Sequence, residues 1–283
     1  MSGTPSSLLA GFSIEMTAKD VSALEEASPL LPPETKIPVA FLPGETMEQR
    51  VFAAKRVREL GFIPIPHISA RRITSLLELE QFLAALQSQA QIDHAFVVAG
   101  DPPKPMGPFD DALALIRTGL LARYGVRRVG ISGYPEGHPE IGNDKLWRAK
   151  RDKTEALLQE GHDFAIVTQF GFDAKPLLRW IEQLRAEGIT ALVRAGVPGP
   201  ATVGTLLKFA ARCGVGASTR VLTRYGMSLG KLFATAGPDR LLADIAAGLD
   251  PARHGAVLIH LYPFGGLRRT AEWAATVSES DAG

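Results

Sequence analysis

The chain has 283 residues, 46% of them hydrophobic and 22% charged, which is enough to bury a large core in one domain. Its 31 basic and 30 acidic residues leave a formal net charge of +1, which argues against a nucleic-acid partner bound through a broad basic surface. The single cysteine, Cys213, excludes an internal disulfide and a cysteine-based metal cluster, and we expect no metal site. The sequence shows no signal peptide and no apolar run of the roughly 20 residues that a membrane span needs. We therefore expect a cytoplasmic protein that does not bind membranes.

Short apolar segments alternate along the chain with longer amphipathic ones. The predicted strands are Phe12–Met16, Pro38–Leu42, Phe62–Pro66, His94–Ala99, Arg128–Ser132, Phe164–Thr168, Ala191–Arg194 and Ala256–Tyr262. The predicted helices are Met47–Leu60, Ser75–Gln87, Asp110–Tyr124, Asp144–Glu160, Ala174–Glu187, Pro200–Cys213, Asp239–Leu249 and Leu267–Ser278. Several strands are apolar along their whole length, as is typical of parallel strands that are covered on both faces.

Eight strands that alternate with eight helices predict a (β/α)8 TIM barrel, of the α/β class. A glycine follows five of the predicted helices, at Gly61, Gly125, Gly161, Gly188 and Gly214, where the chain turns toward the next strand. No GxGxxG motif follows the first strand, which argues against a doubly wound open sheet. We expect a single domain over residues 1–283 with an ordered core from about residue 11 to 275 and an extra helical segment, Ala217–Pro238, before the last strand.

Catalytic residues of such barrels project from the C-terminal ends of the strands. Glu15 lies inside the apolar strand FSIEM, where a carboxylate is unfavourable unless it is paired or functional. It is therefore either a structural carboxylate paired with an arginine or a general acid whose pKa is raised by burial. His67 ends PIPHIS and is either a ligand donor or a structural histidine. Asp101 follows Gly100 in AGDPP and either points into the mouth of the barrel or caps a turn.

Three further strand ends carry polar or aromatic side chains. The stretch YPEGHPE, from Tyr134 to Glu140, is richer in donors and acceptors than a plain connector. In TQFGFD, Gln169 offers both a donor and an acceptor to the edge of a heterocycle. In HLYPFGGLRRT, Arg268 and Arg269 either contact an anionic group at a helix start or form a solvated surface. The chain has no P-loop, HExxH or GxSxG motif, so this inventory favours the binding of a flat heterocyclic cofactor and substrate.

These segments, in this order, resemble the methylenetetrahydrofolate reductase family over residues 11 to 275, most specifically in YPEGHPE and TQFGFD. The chain looks like a short, barrel-only, divergent prokaryotic member. The resemblance implies a flavoprotein TIM barrel of one-carbon metabolism and methionine biosynthesis. In it, FAD passes a hydride from NADH or NADPH to 5,10-methylenetetrahydrofolate and yields 5-methyltetrahydrofolate.

The resemblance also implies roles for particular residues. Glu15 would be the general acid that opens the folate ring to an iminium, Asp101 would lie near the flavin and the folate, and Gln169 would bind the pterin. Phe209 would stack on folate or on the nicotinamide cofactor, and the family's late arginine would be Arg268 or Arg269. The remaining FAD contacts would come from His67, Gly100, Ser132, Tyr134, His138 and either Lys150 or Lys153.

Three departures from the family pattern leave alternatives open. The chain has Ala99 where the family has arginine before Gly100 and Asp101, its second strand lacks the usual Thr-Tyr-Gly, and the helix after YPEGHPE is about one turn longer. A flavin-independent folate reductase is therefore one alternative. A non-catalytic folate- or flavin-binding accessory subunit of a methyl-transfer complex is another. The sequence leaves open the choice between NADH and NADPH and the oligomeric state, a homo-oligomer included.

Overall fold

A computed structural model of the protein describes residues 4–213 and 233–280 and shows a closed barrel of parallel strands. The first barrel strand consists of two short segments that are interrupted at Glu15, and the other seven are continuous. The barrel segments are β1 (Ser13–Ile14), β2 (Met16–Thr17), β3 (Lys36–Ala40), β4 (Ile63–Ser69), β5 (His94–Val98), β6 (Arg128–Gly133), β7 (Asp163–Thr168), β8 (Leu192–Pro198) and β11 (Val257–Tyr262). Outside the barrel, β9 (Ala201–Thr202) pairs antiparallel with β10 (Thr235–Ala236).

The first strand closes the barrel because it pairs with a neighbour on each side. Ser13 of β1 is in register with His260 of β11 and with Lys36 of β3. The sheet then runs in the order β1-β11-β8-β7-β6-β5-β4-β3-β2. The predicted (β/α)8 TIM barrel is therefore confirmed.

Helices surround the barrel, and most begin and end within two or three residues of their predicted bounds. Among the described residues they are α1 (Pro5–Leu9), α2 (Val21–Ala27), α3 (Met47–Glu59), α4 (Leu76–Ala90), α5 (Ala112–Ile116), α6 (Leu120–Arg123), α7 (Asn143–Gln159), α8 (Ala174–Ala186), α9 (Val203–Arg212), α10 (Asp239–Gly248), α11 (Pro251–His254) and α12 (Leu267–Ser280). Single 3-10 turns lie at Ala18–Asp20, Ser28–Leu30 and Ala70–Arg72. None of the described helices is long and apolar enough to cross a membrane.

Several elements differ from the prediction. The short helices α2 and α11 and the strand pair β9 and β10 were not predicted. The first ten residues were expected to be disordered, but they contain α1, whose Leu8 and Leu9 are buried. The helix predicted over Asp110–Tyr124 is divided into α5 and α6, because Gly119 takes up a left-handed conformation with φ 69°. Most of the predicted helical segment Ala217–Pro238 lies outside the described residues, as does Gly214.

The hydrophobic core lies between the strands and the helices and does not fill the barrel. Ile37, Val97 and Ile166, which point outward toward the helices, have no exposed surface. Inward-pointing residues such as Ile63 and Leu258 are only partly buried and line a cavity of about 460 Å³. The interior of a TIM barrel is ordinarily filled by layers of side chains. The hollow lumen therefore leaves room for a group of polar residues inside this barrel.

Candidate active site

Glu15 lies inside the barrel and faces two histidines. It interrupts the first strand between β1 and β2, where its backbone N–H donates to the carbonyl of Leu261. Its Oε2 lies 3.7 Å from Nε2 of His67, on β4, and 3.7 Å from Nε2 of His260, on β11. Both imidazoles are well buried, with side-chain exposures of 12% and 1%. The structure therefore brings together two of the predicted site residues, Glu15 and His67, and adds a third group, His260.

A hydrogen-bonded chain continues from His260 to a buried arginine. Ser13 Oγ lies 2.9 Å from His260 Nδ1. Arg194, on β8, donates from Nη1 to Ser13 Oγ at 3.3 Å and to the carbonyl of Gly11 at 3.0 Å. Arg194 is 5% exposed, and burial lowers the pKa of its guanidinium to about 10, so the group remains charged at neutral pH. Its charge thus lies two hydrogen bonds behind the imidazole that faces Glu15.

The pKa of Glu15 differs in direction from the prediction. Burial alone would raise it, as expected, but the N–H of His260 and the nearby ring of His67 outweigh burial and leave it below the ordinary value. The expected upward shift was therefore wrong for the unliganded protein, in which Glu15 is a carboxylate at neutral pH. Burial lowers the pKa of His67 to about 4 despite its proximity to Glu15, so His67 is a neutral imidazole. Neutral ring N–H groups can still donate to the carboxylate.

Gln169 lies on a turn that is tied to the rim of the same cavity, and Gln169 itself lines a separate small pocket with Glu136 and Thr168. The hydroxyl of Tyr262, which lines the cavity together with Glu15, donates to the carbonyl of Thr168 at 3.0 Å. The Thr168 hydroxyl accepts from the backbone N–H of Gly196 at 2.8 Å. A side chain at Gly196 would meet the carbonyl oxygen of Thr168 at 2.4 Å, so only glycine permits this approach. Gln169 is half-buried, and its Oε1 accepts from the N–H of Phe170. Its amide nitrogen therefore remains the donor that a ligand could use.

A group of aromatic rings extends this rim. Phe209 stacks on Phe264 with ring centroids 4.1 Å apart and an interplanar angle of 15°. Phe264 also stacks on Tyr262 at 5.7 Å and meets Phe170 edge to face at 4.8 Å. One face of Phe209 is therefore covered by Phe264, and a flat ligand could stack only on its other face. These rings form an apolar surface beside Gln169.

Asp101 forms an ion pair instead of facing the cavity. It is 67% exposed at the side chain and accepts from Arg72 Nε at 3.0 Å and from the adjacent Nη2. Gly100, with φ 94°, lies over the end of β4, where an added Cβ would come within 1.9 Å of Ser69 Oγ. The requirement for glycine at position 100 is therefore explained by this close contact and by its backbone angle. The structure separates Asp101 from the group around Glu15.

Four of the residues assigned to FAD line a second cavity, of about 540 Å³, between β6, α7 and α8. They are Ser132, Tyr134, Lys150 and Lys153. Lys150 is buried, and its Nζ lies 3.5 Å from the ring centroid of Trp147 and 4.0 Å from that of Trp180. Burial lowers the pKa of Lys150 to about 7.

His138 borders this cavity through its neighbour Tyr134, and it does not line the cavity itself. It packs edge to face on Tyr134 with ring centroids 5.2 Å apart, and its Nδ1 accepts from the N–H of Glu140 at 3.2 Å. His67 lies instead in the barrel lumen, and Gly100 and Asp101 lie beside Arg72. The predicted FAD residues therefore occupy three separate places.

The two late arginines do not reach the cavity of Glu15. Arg268 forms surface ion pairs with Glu272 at 3.0 Å and with Glu26 at 3.9 Å, and Arg269 is exposed. The alternative of a solvated surface is the one that the structure supports for Arg268. Gly265 has a packing role, because a Cβ there would come within 2.0 Å of the carbonyl oxygen of Pro200.

Sequence reasoning missed His260, Ser13 and Arg194. The signal that could have found them is the alternation of side chains along a strand, which places residues i and i+2 on the same face. Ser13 precedes Glu15 by two residues, and His260 precedes Tyr262 by two. These polar residues lie in strands whose other face is apolar, which predicts that they point into the barrel.

The fold and the position of this acidic group define a TIM barrel with a candidate catalytic site at its mouth. The family model described as "Methylenetetrahydrofolate reductase" matches residues 43–226, more than half of the chain. The chain therefore belongs to the methylenetetrahydrofolate reductase family.

Two curated relatives carry the family name. Methylenetetrahydrofolate reductase 2 of Saccharomyces cerevisiae is 30% identical over 117 residues, which cover 38% of this chain and 19% of that protein. The 5,10-methylenetetrahydrofolate reductase of Pectobacterium carotovorum subsp. carotovorum is 26% identical over 189 residues, 67% of this chain and 61% of that protein. The chain thus spans less than two thirds of the length of either relative.

A solved structure shares the fold. It is an uncharacterized protein from Clostridium thermocellum that binds two copies of 5-methyl-5,6,7,8-tetrahydrofolic acid. The TM-score is 0.63 at 10% sequence identity, and the match covers 97% of this chain and 95% of that chain. At this identity the likeness concerns the fold alone.

Proposed function

We propose that this protein reduces 5,10-methylenetetrahydrofolate to 5-methyltetrahydrofolate with a hydride from NADH or NADPH. The observation that carries the proposal is the carboxyl group of Glu15, held between two imidazoles inside the mouth of a barrel of this family. The reduction adds a proton and a hydride in all. The protein's own residues therefore need to supply the proton and to bind both reactants face to face.

Glu15 is proposed to deliver the proton. Protonation of a nitrogen of the five-membered ring breaks its bond to the methylene carbon and leaves an iminium cation, and the hydride then adds to that carbon. After it has lost its proton, Glu15 is a carboxylate that stabilises the neighbouring cation. The same side chain thus serves both halves of the reaction.

This role requires that the substrate raise the pKa of Glu15. In the structure, burial raises the pKa, but the His260 N–H and the nearby His67 ring outweigh it and leave the pKa low. A flat pterin over the carboxyl would exclude water and strengthen burial, the largest influence and the one that raises the pKa. The acid would therefore form only in the complex.

Gln169 and the aromatic rings are proposed to bind the substrate. The amide nitrogen of Gln169 can donate to a pterin edge, because its oxygen already accepts from Phe170. The outer face of Phe209 can stack on a flat ring, since Phe264 supports its other face. Tyr262 ties this surface to the turn that bears Gln169.

Two of the residues assigned to FAD, Lys150 and Asp101, do not fit the contacts expected of them. Lys150 directs its ammonium group at two indole rings, and Asp101 binds Arg72. Neither is placed as a contact to a phosphate or to a flavin edge would require. These two observations favour the flavin-independent form of the reaction, with hydride transfer from NAD(P)H directly to the folate.

Steady-state oxidation of NADH and NADPH by purified protein, with and without methylenetetrahydrofolate and added FAD, tests the proposal. We expect folate-dependent oxidation, and Glu15→Gln should lower kcat by about 10²-fold or more, as for the loss of a general acid. Glu25→Gln, which alters an exposed carboxylate, is the control and should keep the full rate. Unchanged turnover in Glu15→Gln would refute the acid role.

Two further measurements separate the alternatives. The absorbance spectrum of the purified protein, followed by cofactor extraction, determines whether flavin is bound. An accessory subunit would show no turnover alone and would gain it when a partner protein is added.

A further inference from the structure

The chain of hydrogen bonds behind His260 has a defined direction. A guanidinium can only donate, so Ser13 Oγ is the acceptor in its 3.3 Å contact with Arg194. The hydroxyl hydrogen of Ser13 is then available to His260, whose Nδ1 lies 2.9 Å away. Among the described contacts of Ser13, Nδ1 is the acceptor that this hydrogen can reach, and a proton on Nδ1 would leave the buried hydroxyl hydrogen without a partner there. The geometry therefore favours the tautomer of His260 with its proton on Nε2, the atom that faces Glu15.

We propose that Arg194 and Ser13 are positioning residues, which keep His260 neutral, with its proton on Nε2, and so leave Glu15 able to take up a proton. This inference rests on the proposed function for the role of Glu15. The three residues lie in adjacent strands around the first strand, with Ser13 0% and His260 1% exposed. Water therefore does not compete for these hydrogen bonds.

A neutral His260 allows Glu15 to take up a proton, and the charge of Arg194 helps to keep His260 neutral. A second proton on His260 would create an imidazolium 3.7 Å from Glu15, and an opposite charge at this distance stabilises a carboxylate against protonation. Two features oppose that second proton. The hydroxyl of Ser13 occupies the lone pair of Nδ1, and the buried guanidinium behind it repels a further positive charge. None of the hydrogen bonds of Arg194 described in the structure goes to a carboxylate, so this repulsion is not neutralised there.

Of the other groups that face this network, His67, Tyr262 and Cys213 are neutral near pH 7. Lys36, in register with Ser13, is a further basic group, and its pKa is lowered by burial and then by the charge of Arg194. His67 lies 3.7 Å from the same oxygen of Glu15, with its pKa lowered by burial to about 4. Tyr262 meets His260 edge to face at 4.6 Å, and burial raises the pKa of its hydroxyl. Burial raises the pKa of the Cys213 thiol, and the charge of Glu15 raises it further. Near pH 7 Arg194 keeps its charge, so the protons on Glu15 and His260 determine the state of the site.

A purely structural role for Arg194 makes a different prediction. Its bond to the carbonyl of Gly11 also ties the segment before the first strand to β8. If stability were its only contribution, substitutions would lower the melting temperature without changing the protonation of His260. The test must therefore observe the imidazole directly.

The experiment compares Ser13→Ala with Ser13→Thr, which keeps the hydroxyl, and with Ser69→Ala. Ser69 is a matched control, because its hydroxyl is 3% exposed at the residue level and has no hydrogen-bond partner in the described structure. The 15N resonances of the His260 ring are recorded between about pH 5 and 8, with assignment from a His260→Gln sample. We expect a neutral ring with its proton on Nε2 in the wild type, in Ser13→Thr and in Ser69→Ala. In Ser13→Ala we expect a doubly protonated ring over part of this range.

The pH profile of kcat provides the second readout. A rate that needs protonated Glu15 falls as the pH rises through the pKa of that group. In Ser13→Ala this descending limb should move to lower pH by about one unit, which is about a tenfold loss of kcat above the limb. Arg194→Met should shift the limb in the same direction, and Ser69→Ala should leave it unchanged.

The outcomes separate this inference from the proposed function. If the His260 resonances of Ser13→Ala match those of the wild type, the positioning role is refuted. It is also refuted if Ser13→Ala and Ser69→Ala lose the same activity without a shift of the limb. If Glu15→Gln keeps full turnover while Ser13→Ala changes the His260 resonances, the acid role of Glu15 is refuted and the control of the protonation state of His260 by Ser13 is supported.

Discussion

The buried, neutral state of His67 predicts a loss of stability in mild acid. In the unfolded chain the imidazole has its ordinary pKa of 6.5, and in the folded protein burial lowers this to about 4. Between these values the unfolded state binds a proton that the folded state does not, so the free energy of unfolding falls as the pH falls. Lowering the pH from 7 to 5 should remove about 2 kcal/mol through this residue alone.

Urea unfolding at pH 7 and pH 5 measures this effect. His67→Gln removes the titrating group, so its difference in unfolding free energy between the two pH values should be smaller than that of the wild type by about 2 kcal/mol. Ile166→Val is the control, because Ile166 is completely buried on the side of β7 that faces the helices and does not titrate. It should lower stability equally at both pH values.

The choice of pH 5 keeps Glu15 out of the measurement. Its pKa is lowered from 4.5 by folding, so the stabilisation that it contributes is lost only as the pH falls below 4.5. If His67→Gln and the wild type show the same pH dependence, His67 is not held neutral by burial.

Two further substitutions test the fold around the site. Gly265→Ala should destabilise the protein by roughly 1–3 kcal/mol, because the new Cβ would come within 2.0 Å of the Pro200 carbonyl oxygen. Gly142→Ala is the control, because a Cβ there meets nothing within 4 Å, and it should change the urea midpoint little. Equal effects of the two substitutions would contradict the packing role of Gly265. Leu8→Ala should cost about 2–5 kcal/mol, as expected for a buried leucine, and a change within about 0.5 kcal/mol would show that α1 does not pack on the barrel.

The barrel could be predicted from the sequence because its strands are apolar on the side that faces the helices. Val97, Ile166 and Ile259 lie on that side and are completely buried, and each belongs to a run that is typical of a covered parallel strand. The five-residue helix α1 could not be predicted, since it is too short to show helical periodicity and is held by the burial of Leu8 and Leu9 against the barrel.

The candidate site could be predicted only in part. Glu15 stood out because a carboxylate is unfavourable in an apolar strand, and His67 because it lies near a strand end. The partners of Glu15 depend on which strands become neighbours, and the sequence does not contain that information in any local pattern. The position of Lys150 between Trp147 and Trp180 likewise depends on the packing of α7 against α8. The same holds for the pKa of Glu15, whose direction is decided by imidazoles from two distant strands.

A glycine in the barrel strands influences Glu15 indirectly, because it leaves room for an aromatic ring that supports His67. A Cβ at Gly130 would lie 2.5 Å from the ring of Phe96, so glycine is what allows this ring to lie across β6. In that position Phe96 packs on His67 and supports the imidazole beside Glu15. A larger residue at position 130 would displace Phe96 and then His67, and would alter the proton affinity of a carboxyl group that it does not touch. Gly130 therefore helps to set the surroundings of the Glu15 carboxyl group, although it does not touch that group.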